Sequence, residues 1–419
     1  MADPYPIRPI TADEFREFSA VDDHAFNTVR TPEETEDELR RLEFDRTLAA
    51  WDGERIAGVA AAFSLRLTVP GAVIPAAGVT WVSVLPTHRR RGILRSLMLR
   101  QLADIRARGE AVAVLFASES GIYGRYGYGQ ASLMASHTFR RGEGTLRPDA
   151  PAGEPLWLRI ADPGAVRPEL AKIHDMVLPS RPGMFARDDA WWDHRLYDPP
   201  NRRGGATPLR CVLAEDASGP RGYGVYSATE PSWGEDGLPD GTLTIREVLA
   251  ADPAASAAVW RDLLNRDLAG EVHVRNRPPD DPLLHLLADP RRARVRVWDG
   301  LWVRLTDVGA ALTQRRYARD ADVVIEVSDE ICPQNAGRWR LRARAGSGDP
   351  DGRAPSCERT GDPADLLLPV RALGAAYLGG TRLGSLAEAG IVTERRSGAV
   401  AELSAAMSWD PAPWCPMIF

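Results

Sequence analysis

The sequence predicts an α/β chain that closes with an α+β domain. Its 419 residues exceed what one hydrophobic core usually organises, so two or three domains are expected. The stretch "AAGVTWVSVLPTHRRRGILRSLMLRQLADIRARGEAVAVLFAS" reads as strand, basic glycine turn, helix and strand. A similar order of elements recurs further on, and a third region alternates strands with helices.

In the first domain, "RTLAAWDGERIAGVAAAFSLRLTVPG" reads as two strands joined at Asp52-Gly53, the second running toward Pro70-Gly71. The helix after the basic turn gathers Ile93, Leu94, Leu97, Met98 and Leu102 on one side. A strand, helix, strand connection needs a crossover, which places the turn at the carboxyl end of a strand and the start of a helix, where α/β sheets bind ligands.

Pro, Gly and Asp thicken over Arg140 to Leu156 and mark the first boundary. Beyond it come "RPGMFARDDAWWDHRLYDPP", strand-like "RGYGVYSA" and "LTIREVLA", and a helix in "DPAASAAVWRDLLNRDL", with no second basic glycine turn. The third region carries strands at "ADVVIEVSD" and "GRWRLRARA" and an expected helix over "PADLLLPVRALGAAYLGG". The expected division is 1–145, 146–295 and 296–419.

Hydrophobic residues make up 44% and charged residues 26%, with net charge -6, so the bulk charge calls for no nucleic acid. Lys172 is the only lysine; the basic character is arginine. "MADPYPIRPITADEF" lacks a signal pattern and no run reaches the ~18 apolar residues of a membrane span, so a cytoplasmic protein is expected. Cys211, Cys332, Cys357 and Cys415 stand far apart without histidines at metal spacing, and no metal site is expected.

"PTHRRRGILRSLM" could be a solvated face or a phosphate grip. A glycine turn at a helix start aims unpaired N–H groups and the positive end of the helix dipole at an anion, and neighbouring arginines can close round it. The run Val82 to Gly92 resembles the acyl-CoA signature of the GNAT N-acetyltransferases, here as Arg89-x-x-Gly92, with Leu94 where a second small residue is usual. "FASESGIYGRYGYGQAS" and "LRLTVPG...THRRRGILRSLM" resemble the Eis (enhanced intracellular survival) family of aminoglycoside and lysine N-acetyltransferases. The likeness continues through "DPLLHLLADPRRA", "DGLWVRL", "VIEVSD", "AAYLGG" and a terminal phenylalanine.

This resemblance implies two tandem GNAT-fold domains followed by a sterol-carrier-protein-like α+β domain, assembled as a homo-hexamer, with acetyl-CoA as cosubstrate and an amine as acceptor. It assigns Tyr123 as general acid toward the departing thiolate; a phenol of pKa about 10 stays protonated at neutral pH. Tyr126 and Tyr128 stand nearby in the same glycine-rich stretch. Val82 and Val84 would meet the pantetheine arm, Arg89, Arg90, Arg91, Gly92, Ile93 and Leu94 the pyrophosphate, and Ser118 and Gly121 the cofactor's other side. The carboxylate of Phe419 would accept the amine proton, in an apolar, proline-stiffened tail "WDPAPWCPMIF". Ile418 replaces the acidic residue the family can place there, a departure that bears on highly cationic aminoglycosides. Asp22, Asp23, Glu33 and Glu34 read either as helix-surface acids or as acidic pocket walls. A CoA- or lipid-binding regulator without turnover, and a DNA-associated factor using "HRRRG", are the competing classes.

Overall fold

The computed structural model describes residues 4–152, 156–235, 237–345 and 354–419. Two compact units emerge. One holds the chain up to Ser132, Asp299–Pro413 and Ile418–Phe419; the other holds Leu133–Trp298 and Trp414–Met417. The first unit thus takes in most of the expected segments 1–145 and 296–419, and the second takes over at Leu133.

The first unit opens with β1 (Ile7–Arg8), the helices α1 (Phe15–Phe26) and α2 (Pro32–Leu39), and β2 (Thr47–Asp52). There follow β3 (Arg55–Val69), β4 (Ala72–Val84), the crossover helix α3 (Ile93–Ala107), β5 (Val112–Phe116), the short α4 (Ser120–Tyr123) and β6 (Gly129–Gln130). The sheet order is β1-β2-β3-β4-β5, then the strand Leu301–Leu305, then β6. A strand from the third region thus completes the first sheet, pairing antiparallel to the whole of β5 from Leu301↔Phe116 to Leu305↔Val112. The crossover helix buries Ile93, Leu97, Met98, Leu102 and Ile105, the apolar stripe expected at helical spacing, while Leu94 is half-buried.

β4 and β5 run parallel but pair only at Ala77↔Ala113 and Gly78↔Val114. Just beyond that last pair, β4 changes register against β3 between Val59 and Ala61, and Trp81 adopts a left-handed φ of 55°. Such a bulge bends its strand locally. Val82, Ser83 and Val84 follow it, beyond the last pair with β5, and their edge is open to the cleft described below.

The same unit carries a second sheet ordered Ser356–Arg359, Gly337–Ala343, Ala321–Ser328, Leu366–Pro369 and Thr393–Glu394. The expected helix over "PADLLLPVRALGAAYLGG" needs correction: Leu366–Pro369 is a strand parallel to Ala321–Ser328, and only Val370–Ala376 is helical. A short apolar run ending at a proline fits a buried parallel strand as well as a helix, and the neighbouring strand decides. That helix lies so close to the first sheet that a Cβ on Gly129 would stand 1.9 Å from the Arg371 carbonyl oxygen, and one on Gly374 2.3 Å from that of Val303.

The second unit is a sheet ordered Arg296–Asp299, Leu133–Arg140, Ala269–Arg277, Gly241–Ala250, Gly219–Ala228, Arg210–Asp216 and Trp157–Ala161. Gly241–Ala250 and Ala269–Arg277 run parallel around the helix Pro253–Leu264, repeating the strand, helix, strand unit of the first. Val212, Ile245, Trp260, Leu263 and Val274 build its core. Arg187 and Glu247 form a buried ion pair at 2.8 Å, and the Tyr223 hydroxyl donates to the same carboxylate at 2.5 Å, so the charges lie satisfied beneath the helices. The four cysteines are buried free thiols, and among the described residues no helix is long and apolar enough to cross a membrane.

Candidate active site

A cleft of about 1240 Å³ opens in the first unit where β4 and β5 part. Val82, Val84, Arg89, Arg90, Gly92, Ile93, Leu94, Ser118 and Tyr123 all line it, so nine residues chosen from two separate stretches of sequence converge. Arg91, Gly121 and Phe419 are not among the residues that line it. Arg91, expected in the grip, donates to the Tyr5 hydroxyl at 3.0 Å; Gly121 lies exposed within α4.

The loop before α3 owes its shape to two left-handed residues, Arg90 at φ 65° and Gly92 at φ 86°. Nothing crowds Gly92, since a Cβ there would meet no atom within 4 Å; its backbone angle is what favours glycine. Gly92 is the N-cap, and no side chain caps the helix. The first N–H groups of α3 are left as donors at the positive end of its dipole, with Arg89 and Arg90 beside them, a geometry suited to an anion.

The parallel unit in the second domain is built differently. There the residue before the helix is Asp252, whose carboxylate accepts from Ala254 N at 3.0 Å and Ala255 N at 2.9 Å and forms an ion pair with Arg221 at 2.9 Å. An internal anion already occupies the place where the first domain presents bare donors.

Tyr123 is 5% exposed, its ring edge-on to Tyr128 with centroids 6.0 Å apart. Burial pushes its phenol up to about 12, with a hydrogen bond to Ser118 opposing the shift. Tyr126 lines the cleft too, whereas Tyr128 does not: it is fully buried, with a hydroxyl that has no partner among the described residues. Phe419 stands against Phe116 at the end of β5, centroids 5.4 Å apart, and its ring edge comes within 3.1 Å of where a Gly78 Cβ would lie. The last residue of the chain thus reaches the split between β4 and β5. Five residues before it, Trp414 is anchored within the second unit, its indole N–H donating to Asn276 at 3.0 Å and its backbone N–H to the Pro182 carbonyl at 2.8 Å.

Of the acids considered as pocket walls, Asp22 is buried and accepts from Ser83 Oγ at 2.5 Å and from Arg30 at 2.6 Å. Arg30 also bridges Asp23 and Glu38 and lies 4.5 Å over the Trp81 ring, steadying the bulged strand. Glu34 closes a capping box with Thr31, and Glu33 is exposed on α2.

The sequence did not single out Arg95, Arg125, Glu119, Glu330 and Ile331, which also line the cleft. Arg95 and Arg125 lie inside the two quoted motifs. Glu330 and Ile331 come from the third region, and no local pattern marks them. Buried Asp329 places them, accepting from Arg304 at 2.7 Å, Asn335 at 3.1 Å, Ile331 N at 3.2 Å and Cys332 N at 3.0 Å. Arg304 in turn presses on Gly127, whose Cβ would lie 2.8 Å from the guanidinium carbon.

A bare-capped crossover helix, a split parallel pair and a tyrosine beyond the next strand define a GNAT acetyltransferase. The sequence matches the acetyltransferase (GNAT) domain over residues 6–131 and a second acetyltransferase (GNAT) domain over 183–305, with a sterol carrier protein domain over 308–416. It is 47% identical to an uncharacterized N-acetyltransferase of Streptomyces coelicolor over 94% of both chains. It is 35% identical to the N-acetyltransferase Eis of Mycobacterium tuberculosis over 86% of this chain and 85% of that one. The crystal structure of Eis1 from Mycobacterium abscessus superposes with TM-score 0.82 at 33% identity, covering 99% of this chain and all of the other. The chain belongs to the Eis family of N-acetyltransferases.

Proposed function

We propose that the protein transfers the acetyl group of acetyl-CoA directly to an amine while both are bound, with the first unit's cleft as the site. One observation carries this reading: the uncapped turn at Gly92 and the Tyr123 phenol line one cleft, beside which Phe419 stands against Phe116 at the end of β5. The pyrophosphate would lie on the α3 N-terminus between Arg89 and Arg90, with Gly92, Ile93 and Leu94 supplying backbone donors. The open edge of Val82 and Val84 suits the amide groups of the pantetheine arm, as an added strand would. Ser118 lies on the opposite wall, with Gly121 in the adjoining helix.

The amine nitrogen would attack the thioester carbonyl carbon, and the C–S bond then breaks as the tetrahedral intermediate collapses. Tyr123 would give its proton to the departing thiolate, and the Phe419 carboxylate would take the proton the amine must lose. A buried phenol held neutral is suited to the first role. The exposed Ile418, 54% accessible, places an apolar side chain beside that carboxylate, which favours amines less cationic than aminoglycosides. The family resemblance supports a homo-hexamer working in the cytoplasm, which light scattering and fractionation test.

Release of CoA from acetyl-CoA is the deciding assay, run against a panel of amines that includes lysine-type and aminoglycoside acceptors. Amine-dependent release is expected. Tight CoA binding with no turnover on any amine would instead support a regulatory CoA-binding protein.

A further inference from the structure

The second unit holds a cavity of its own, of about 420 Å³, a size common among small-molecule sites. Its floor is formed by three neighbouring strands, Arg296–Asp299, Leu133–Arg140 and Ala269–Arg277. Side chains alternate along the middle strand: His137 and Phe139 are buried in the core, while Ser136, Thr138 and Arg140 take the other face. Arg275 lines the cavity from one flanking strand and Arg296 from the other.

A sheet face turned to solvent ordinarily balances its charges in cross-strand pairs. This one does not. Glu271 stands directly opposite Arg140 in the strand register, yet its carboxylate meets the His273 ring at 3.0 Å instead. Glu143, the next acid along the chain from Arg140, is engaged by Arg292 and Arg294. Among the described residues, the guanidinium groups of Arg140, Arg275 and Arg296 and the hydroxyls of Ser136 and Thr138 have no hydrogen bond or ion pair. Three unbalanced cations and two hydroxyl donors therefore line one cavity, in a chain of net charge -6.

We infer that the second unit binds a phosphate monoester of a small, non-aromatic polar molecule, in chemical class a sugar phosphate, with the phosphate held by Arg140, Arg275 and Arg296 over the Ser136 and Thr138 hydroxyls. Guanidinium forks match phosphate oxygens two at a time, and a dianion balances such a cluster better than a single carboxylate does. No Phe, Tyr or Trp stands among the described lining residues to stack on a base, and the basic patch spans only three strands, which disfavours a nucleotide or a nucleic acid. The cavity shares no residue with the acetyl-CoA cleft. It also differs in kind from the helix start of its own unit, where the Asp252 carboxylate already takes the backbone donors.

The test uses the full chain carrying Arg89→Ala and Arg90→Ala, which weakens the arginine grip of the first unit and keeps it out of the readout. Calorimetry at about 0.15 M salt, where non-specific charge attraction is screened, compares glucose 6-phosphate, glucose, inorganic phosphate and a single-stranded oligonucleotide. Glucose 6-phosphate is expected to bind at least about tenfold more tightly than glucose, as charge-assisted contacts warrant. Adding Arg140→Gln, Arg275→Gln and Arg296→Gln should abolish that preference; all three positions are exposed, and circular dichroism checks the fold. The milder pair Ser136→Ala, Thr138→Val should weaken the ester by about threefold to tenfold and decides the matter if the triple change does not fold. Inorganic phosphate binding as tightly as the ester, and lost with it in the variants, supports the phosphate site with the free ion as its occupant. Equal binding of glucose and its phosphate, a preference that survives both sets of changes, or an oligonucleotide that outbinds the ester overturns the assignment, and none of these outcomes touches the acetyl-CoA reading.

Discussion

The ring of Phe419 meets that of Phe116 edge-on at 5.4 Å, placing the last residue of the chain at the point where β4 and β5 cease to pair. In the proposed mechanism the base is the α-carboxylate of Phe419, a group that no side-chain substitution removes. Appending three residues after Phe419 displaces that carboxylate while every native side chain remains. Turnover is expected to fall by about 10² or more, the scale of a lost general base, with acetyl-CoA binding intact. Full kcat in the extended protein would reduce Phe419 to a docked hydrophobic anchor.

Tyr123→Phe should lower kcat by about 10²-fold with the cofactor's Kd unchanged, and Tyr126→Phe should cost less. The pH behaviour follows from burial, which pushes Tyr123 up to about 12. The acid form then persists beyond the ordinary phenol value of about 10, so the phenol imposes no loss of kcat at pH 9 to 10. The same shift has a sign for stability. Because the folded pKa exceeds the unfolded one, the native state loses stability as pH rises from about 10 through 12, and the Phe variant should lack that loss. Denaturation midpoints measured at pH 9 and pH 11 compare the two.

Replacing Arg89 and Arg90 with alanine should raise the acetyl-CoA KM by at least about tenfold, given roughly 1.5 to 3 kcal/mol for each charge-assisted contact. Arg91→Ala should do far less, since its guanidinium is on Tyr5. If Arg91→Ala proves the more damaging, the grip is oriented differently from the unliganded loop.

What sequence could reveal here follows from chain distance. The turn at Gly92 was legible because its charge, its glycine and the helix stripe beginning at Ile93 all lie within a dozen residues. Tyr123 is singled out only through the family likeness, for nothing local separates it from Tyr126 and Tyr128. Arg91 cannot be told from its neighbours in sequence because three adjacent arginines look alike, while the left-handed backbone at Arg90 and Gly92 sends the arginine side chains in different directions. Glu330 and Ile331 reach the cleft through Asp329 and Arg304, a contact spanning regions of sequence that carry no shared pattern. Leu366–Pro369 reads as helix in sequence because its strand character depends on a neighbour, Ala321–Ser328, that sequence alone does not pair with it. The absence of a second basic glycine turn was read correctly, and Asp252 supplies its physical counterpart.

The Arg304–Asp329 pair tests whether the third region shapes the cleft or merely adjoins it. Both side chains are essentially inaccessible, at 0% and 1% exposure, so removing one partner strands a buried charge. Asp329→Ala is expected to destabilise the protein by about 3 to 5 kcal/mol, whereas the apolar double variant Arg304→Met, Asp329→Leu should recover much of that. The double variant still lacks the acceptor that fixes the N–H groups of Ile331 and Cys332, and Cys332 packs in the same cluster as Tyr123, Tyr126 and Tyr128. Stability and catalysis should therefore separate: denaturation midpoints recover in the double variant while the acetyl-CoA KM stays raised. Recovery of both together would show that the loop carrying Glu330 and Ile331 contributes nothing to the cleft beyond filling space.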